Sequence, residues 1–384
     1  MRPGAPGCAG VVINLSLRRL ALAATLPALA LVGALAPLPP RAVERWFSTG
    51  AYPAIQHVVT PLSNSLPIAV FDVLGIAATI FVAVVLVRGV RTARRDRSAR
   101  PLARALGVLL VGSLAAYVWF LLFWGLNYRR VPMTERLRMD GGGLAPAAVV
   151  QLGRDAAGQL NALHGEAHAI GWHEQPMDDG ALRRGFEEIQ RALSDAPPAV
   201  PGRLKPTILG PYFRWASVDG MVNPFGLEVL ANPDLLPFER PFVAAHEWAH
   251  LAGYADESEA SFVGWLSCLR GGPAAQYSAW LLMYWQVNAE LSQSERATLA
   301  AALAPGPRAD IEAVVARLRR GEWPLLRNAG WQVYDQYLKA NRVEEGIRSY
   351  GLVVTLVLRA TFDEGWMPVR REIRERPHAP WPLS

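Results

Sequence analysis

Two stretches of about 20 apolar residues, Ile68 to Val87 and Ala105 to Leu126, flank a short segment carrying Arg88, Arg91, Arg94, Arg95, Arg97, Arg100 and Arg104 against Asp96. A hydrocarbon layer ~30 Å thick is crossed by about 20 helical residues at ~1.5 Å each, so both stretches are predicted to span a membrane. Positive residues in short loops stay on the cytoplasmic side. The arginine-rich segment is therefore expected inside, with Pro39 to Pro67 and everything after Tyr128 outside. Trp119, Phe123, Trp124 and Tyr128 sit where aromatic side chains meet the lipid headgroups. A third apolar stretch, Leu20 to Leu38, follows Arg18 and Arg19 and reads as a first span, although Pro27 and Ala34-Leu35-Ala36 also fit a cleavable secretory signal. Either way the orientation is the same. Arg129, Arg130, Arg136 and Arg138, close behind the last span on the outer side, run against it.

The 384 residues are 51% hydrophobic and 19% charged, a bias the apolar stretches explain. Residues 1–128 read as a membrane anchor with spans at about 20–38, 68–87 and 105–126, and residues 129–384 as one extracytoplasmic domain. The net charge of +6 is concentrated in the arginine run, and no basic patch interleaved with aromatics accompanies it. The expected partners are thus the lipid bilayer of the inner membrane and a peptide or protein substrate, with no nucleic acid. Cys8 and Cys268 lie too far apart in this plan to form a disulfide framework.

Helical patterns dominate the domain: Pro146 to His168, Met177 to Leu193, Gln276 to Leu291, Gln293 to Leu303, Ala309 to Arg319 and Val343 to Ala360. From Thr207 to Leu230, short runs such as Thr207-Ile208-Leu209 and Leu227-Glu228-Val229-Leu230 are broken by glycine and proline, as strands and turns are. This is the one expected sheet. The fold class is mainly α, with a small sheet in a mostly helical domain.

That domain contains His246-Glu247-Trp248-Ala249-His250. Side chains at i and i+4 of a helix lie one above the other, so both imidazoles can reach a single cation. Zinc accepts such nitrogens together with a carboxylate and keeps a fourth position for water. Glu247 would stand beside the metal and take a proton from that water, which is the chemistry of amide hydrolysis. The apolar residues before His246 and the helix-ending Gly253 fit a motif helix.

Asp256, Glu257 and Glu259 compete to be the third ligand. On one straight helix position 257 would lie about 10 Å beyond His250, so the chain must turn back at Gly253. If Asp256 caps the next helix, Glu259 falls at its third position and forms a capping box, leaving Glu257 to face the metal. Asp256 has its own claim, since HExxHxxGxxD is the spacing by which metzincin peptidases supply a ligand after the glycine turn. Glu257 is favoured and the other two stay open.

The stretch from His246 to Tyr254, followed by Glu257-Ser258-Glu259-Ala260-Ser261-Phe262, resembles the pattern HExAHxxGFxxExEANF of an uncharacterised bacterial family of membrane-anchored HExxH proteins, a domain-of-unknown-function group. Phe123 to Arg130, Asn223 to Glu228 and Tyr334 to Lys339 carry further likeness, so nearly the whole chain is covered. The resemblance implies three N-terminal spans and a zincin-like domain, and supplies no substrate. Gluzincin peptidases commonly follow a ligand glutamate with Ala three residues later and Asp or Asn four later. Glu257, Ala260 and Ser261 match that frame with Ser at the last place. The interval from His250 to Glu257 is short compared with thermolysin-like enzymes.

The expected function is that of a zinc metallopeptidase with Zn2+ on His246, His250 and Glu257 and with Glu247 as base. A non-catalytic zinc-stapled membrane protein and a cell-wall amide hydrolase are the alternatives. His164 and His168, with His173 nearby, repeat the i, i+4 spacing but lack a neighbouring glutamate, and read as a solvated helix face rather than a second metal site. Asn223 to Ala231 is a candidate edge strand for binding an extended substrate. Tyr334, Tyr337 and Tyr350 are candidate donors to a developing oxyanion. Trp248 is expected in the core behind the helix.

Overall fold

A computed structural model describes residues 25, 27–142, 144–169, 180–321, 323–341 and 352–371. Val70–Asp96 and Arg100–Phe123 pack as an antiparallel helical hairpin, closed by a turn in which Arg97 adopts a left-handed conformation at φ 48°. Ile76, Ile80, Phe81, Leu106 and Leu110 project from it uncovered by protein. Both helices are long and apolar enough to cross a membrane. Among the described residues these two pass that test, not the three expected. Residues 20–24 and 26 of the first expected span lie outside the described set, and its helical remainder, residues 27–35, packs against the second long helix where Gly33 meets Leu121.

The hairpin is bound to the domain at the end remote from its arginine-rich turn. The backbone N–H groups of Val70 and Phe71 donate to the Glu228 carboxylate at 3.0 and 2.7 Å, filling two of the donors that a helix start leaves open. Glu228 also accepts from Lys205 Nζ at 2.8 Å and Asn223 Nδ2 at 3.0 Å, and is wholly buried. Asp72 on the first turn accepts from Thr207 Oγ1 at 2.6 Å.

Glu228 belongs to a three-stranded sheet of β1 (Leu204–Lys205), β2 (Gly220–Asn223) and β3 (Glu228–Ala231), in the order β1-β3-β2. β1 runs parallel to β3 and β2 antiparallel to it, with Val222 opposite Val229. Three expectations change here. Thr207 to Leu209 is a turn into the helix Gly210–Ala216, because Pro211 presets the first helical turn there. β3 is the central strand, so of the stretch Asn223 to Ala231 only Asn223 lies on the edge strand β2. A second sheet pairs Phe362–Asp363 with Met367–Pro368, beyond the expected one.

The remaining elements are helices. Arg240–Leu251 crosses Glu257–Leu269, and Pro273–Glu290 lies along Pro146–Ala169. Gly180–Leu193 and Pro305–Gly321 correspond to expected helices, as does Leu352–Arg359, the described part of the Val343 to Ala360 pattern. One cluster of buried side chains joins Leu160, Phe186, Ile189, Trp248, Phe262, Val263, Trp265, Tyr277 and Met283 to Phe120, Leu121 and Trp124 of the second long helix. The core therefore runs across residue 128 without a break. The chain is mainly helical with small sheets, as its periodicity predicts.

Candidate metal centre

Local rules place the ligand set. Arg240–Leu251 ends where Gly253 turns at φ 84°, a conformation open to glycine at no steric cost. Gly253 N–H donates to the His250 carbonyl at 3.0 Å and Tyr254 N–H to the Ala249 carbonyl at 3.1 Å, the paired bonds of a glycine-ended helix. The chain then folds back. Asp256 caps the next helix by accepting from the N–H groups of Ser258 and Glu259 at 2.9 and 3.1 Å, so its carboxylate is engaged in the cap.

Glu259 forms no capping box. It accepts from Met133 N–H at 2.5 Å and meets Arg136 at 3.4 Å, fixing the stretch that follows the membrane hairpin. Glu257, on the first turn, faces the histidines. Its Oε2 lies 3.2 Å from His246 Nε2 and 3.4 Å from His250 Nε2. Ligands at ~2.0 to 2.1 Å from a tetrahedral ion sit ~3.3 Å apart, and the two separations from Glu257 match that spacing, with all three donor atoms within 4.8 Å of one another. Two nitrogens and a carboxylate oxygen are donors that zinc accepts, and the three residues present fit that ion.

Each ligand is held from behind. His250 Nδ1–H donates to the Tyr254 carbonyl at 2.7 Å, which leaves Nε2 for a cation, and His246 Nδ1 lies 3.2 Å from Ser261 Oγ. Ser261 thus backs the His246 ring. Tyr334 OH donates a short hydrogen bond to Glu257 Oε1. Tyr337 instead packs edge-on against Tyr128, and Tyr350 and His173 lie outside the described residues. Burial opposes the charge on Glu257, but His250 and His246 outweigh it and hold the carboxyl well below the usual range. Burial likewise opposes the His250 proton, and Glu257 overrides it, pushing His250 up to about 9 in the metal-free protein.

Glu247 is 4% exposed, and its Oε2 has no hydrogen-bond partner. Burial raises its pKa against the pull of His246 and His250. Trp248 points the other way, into the core, where its indole N–H donates to the Gly202 carbonyl at 2.6 Å. The end of the motif helix is tied to the N-terminal helices. Trp124 Nε1 donates to the His250 carbonyl at 3.0 Å and Tyr52 OH to the Leu251 carbonyl at 2.8 Å. Arg130 and Arg136 both stack on the Tyr254 ring, at 4.8 and 5.3 Å from its centroid, and Arg130 pairs with Glu44 at 2.7 Å.

Sequence reasoning did not find the helix-end donors Tyr52 and Trp124 or Gly220, whose missing side chain leaves room for the Glu247 carboxylate; it placed Ser261 behind a histidine, as a weaker partner than Asp or Asn. The aromatic run at the end of the last span was the available signal for Trp124, read there as a headgroup contact.

No curated protein and no solved structure matches the chain. A family model described as a protein of unknown function (DUF3810) matches residues 47–358, most of the chain and all of this ligand set, and the protein belongs to that family.

Proposed function

We propose that the protein is a membrane-anchored zinc-dependent peptidase, with His246, His250 and Glu257 as the metal ligands and Glu247 as the general base. The observation that carries this reading is the convergence of both Nε2 atoms on one Glu257 oxygen, with the buried carboxylate of Glu247 next to His246 in the chain and its Oε2 without a hydrogen-bond partner. Three protein ligands, rather than four, are the complement of catalytic zinc. Zinc bound there supplies a Lewis acid that acidifies water and polarises a scissile carbonyl. Glu247 takes the proton of the attacking water as its oxygen bonds to the carbonyl carbon, then delivers that proton to the amide nitrogen as the C–N bond breaks. A carboxyl raised by burial suits a group that holds a proton between two steps. The edge strand β2 packs on the motif helix and offers an extended peptide a strand to pair with. The zincin-like frame is part of this proposal. So is the topology, with the arginine-rich turn in the cytoplasm and the metal centre on the other face.

The test is Glu247→Gln in the full-length protein. Metal content and thermal midpoint should match wild type while cleavage of a peptide that wild type cuts is abolished. Equal cleavage by both proteins removes Glu247 from the chemistry. Burial of His250 and Glu257 favours a second reading, a metal that only staples two helices. It predicts a protein that holds metal, cuts nothing, and is unchanged by Glu247→Gln.

A further inference from the structure

We propose a second divalent-metal site, formed by His164, His168 and Asp310, that staples two helices far apart in the chain. His164 and His168 lie one turn apart on Pro146–Ala169, their rings stacked at 4.2 Å between centroids and 27° between planes. Asp310 comes from Pro305–Gly321 and brings one oxygen, Oδ2, to 2.9 Å from His168 Nε2 and 3.5 Å from His164 Nε2. The donor set is two imidazole nitrogens and one carboxylate oxygen, as at the first centre, with all three donor atoms within 4.8 Å of one another. Such a set suits zinc and its first-row neighbours.

The surroundings hold these donors in place. Tyr277, fully buried on Pro273–Glu290, donates to Asp310 Oδ2 at 2.5 Å, a supporting bond of the kind ligating carboxylates receive. Its ring edge meets both imidazoles at 5.8 Å. Gly306 lets the backbone of the second helix come down on His164: a Cβ there would fall 2.4 Å from Cε1 and 2.6 Å from Nε2. A single His168–Asp310 hydrogen bond accounts for one histidine. It gives no reason for a second imidazole to be stacked on the first, facing the same oxygen under a glycine. With side chains 28% and 31% exposed, the histidines leave room for water to complete a coordination shell.

Glu166, the acid between the two histidines in the chain, is on an exposed face. The proposed role of the site is structural. It links positions 142 residues apart, His168 and Asp310, and so closes a long loop whose ends would otherwise separate freely. The proposal is independent of catalysis at Glu247.

The experiment is metal counting on full-length protein in detergent, stripped with chelator and reloaded with Zn2+ or Co2+. Wild type should hold two equivalents. Asp310→Asn, His168→Gln and the double variant His246→Ala/His250→Ala should hold one each, and Zn2+ should raise the thermal midpoint of Asp310→Asn by less than that of wild type. Asp310→Asn is nearly isosteric and keeps an acceptor for Tyr277, so it separates lost metal from lost fold. Equal metal content in wild type and Asp310→Asn overturns the second site and leaves the first untouched. Two equivalents in His246→Ala/His250→Ala, with one in Asp310→Asn, would support the second site and strike the first instead.

Discussion

Gly220 lies directly over the Glu247 carboxylate: a Cβ at position 220 would fall 2.5 Å from Oε1 and 2.9 Å from the carboxyl carbon. The edge strand and the proposed base are thus in contact through the absence of a side chain. Gly220→Ala should displace Glu247 while leaving His246, His250 and Glu257 in place. A shift of about 1 Å in a catalytic group costs on the order of 100-fold in rate. Peptide cleavage should fall by that order with metal content unchanged, and an unaltered rate would count against Glu247 as the base.

Gly264 performs the corresponding service between the two ligand-bearing helices. An added Cβ would meet His246 backbone N at 2.9 Å and Cα at 3.0 Å, atoms that have no rotamer to escape into. Gly264→Ala should force Arg240–Leu251 and Glu257–Leu269 apart at the crossing that brings Glu257 to the histidines. Overpacking of this kind costs about 1–3 kcal/mol. Thermal unfolding should register the loss, and a chelator competition assay should show weaker zinc binding.

Tyr334→Phe removes the hydroxyl that donates to Glu257 Oε1 and nothing else. Loss of a partner behind a metal ligand lowers affinity by about 10- to 100-fold. Zinc affinity should drop by that factor with little change in the melting temperature of the metal-free protein. If affinity holds and cleavage alone falls, the hydroxyl acts on the substrate rather than on the ligand.

Glu44 supports the site at one remove, pairing with Arg130, which in turn donates to the Gly253 carbonyl at 2.9 Å. Burial raises its pKa, but Arg130 and Arg136 prevail and hold it below the ordinary 4.5. A carboxyl depressed by folding stabilises above its unfolded pKa, and that contribution is lost as the pH falls through the folded value. Removing one partner leaves the buried Arg130 uncompensated, at about 3–5 kcal/mol. Glu44→Gln should accordingly melt well below wild type at pH 7, and the gap should narrow as the pH drops below about 4.5. A gap independent of pH would mean that the side chain acts by packing alone.

What the sequence makes legible is what lies within a turn or two of the residue concerned. The i, i+4 pairing of His246 and His250, the reversal at Gly253 and the cap at Asp256 all follow from local spacing, and they suffice to orient Glu257. Partners from distant segments carry no such signature. Tyr334 is 77 residues from Glu257, Met133 is 126 from Glu259, and Asp310 is 142 from His168. Glu259 satisfied the local pattern of a capping box and was drawn away by Met133 and Arg136, where a buried carboxylate gains a charged partner. Strand order is equally non-local: β3 reads as an edge until β1, arriving from before the Gly210–Ala216 helix, occupies its other side.

The last carbonyls of the motif helix, those of His250 and Leu251, accept from Trp124 and Tyr52, residues at the end of the second long helix and ahead of the first. A fragment begun after residue 128 would lose the Tyr52 donor to the Leu251 carbonyl and leave the His250 carbonyl with Gly253 N–H alone of its two. The candidate metal centre and the two long helices are in this sense one mechanical unit. If the two long helices cross a bilayer as proposed, a molecule processed at the proposed centre comes to it by lateral diffusion along the membrane or from the thin aqueous layer against it, and encounter follows surface density rather than bulk concentration.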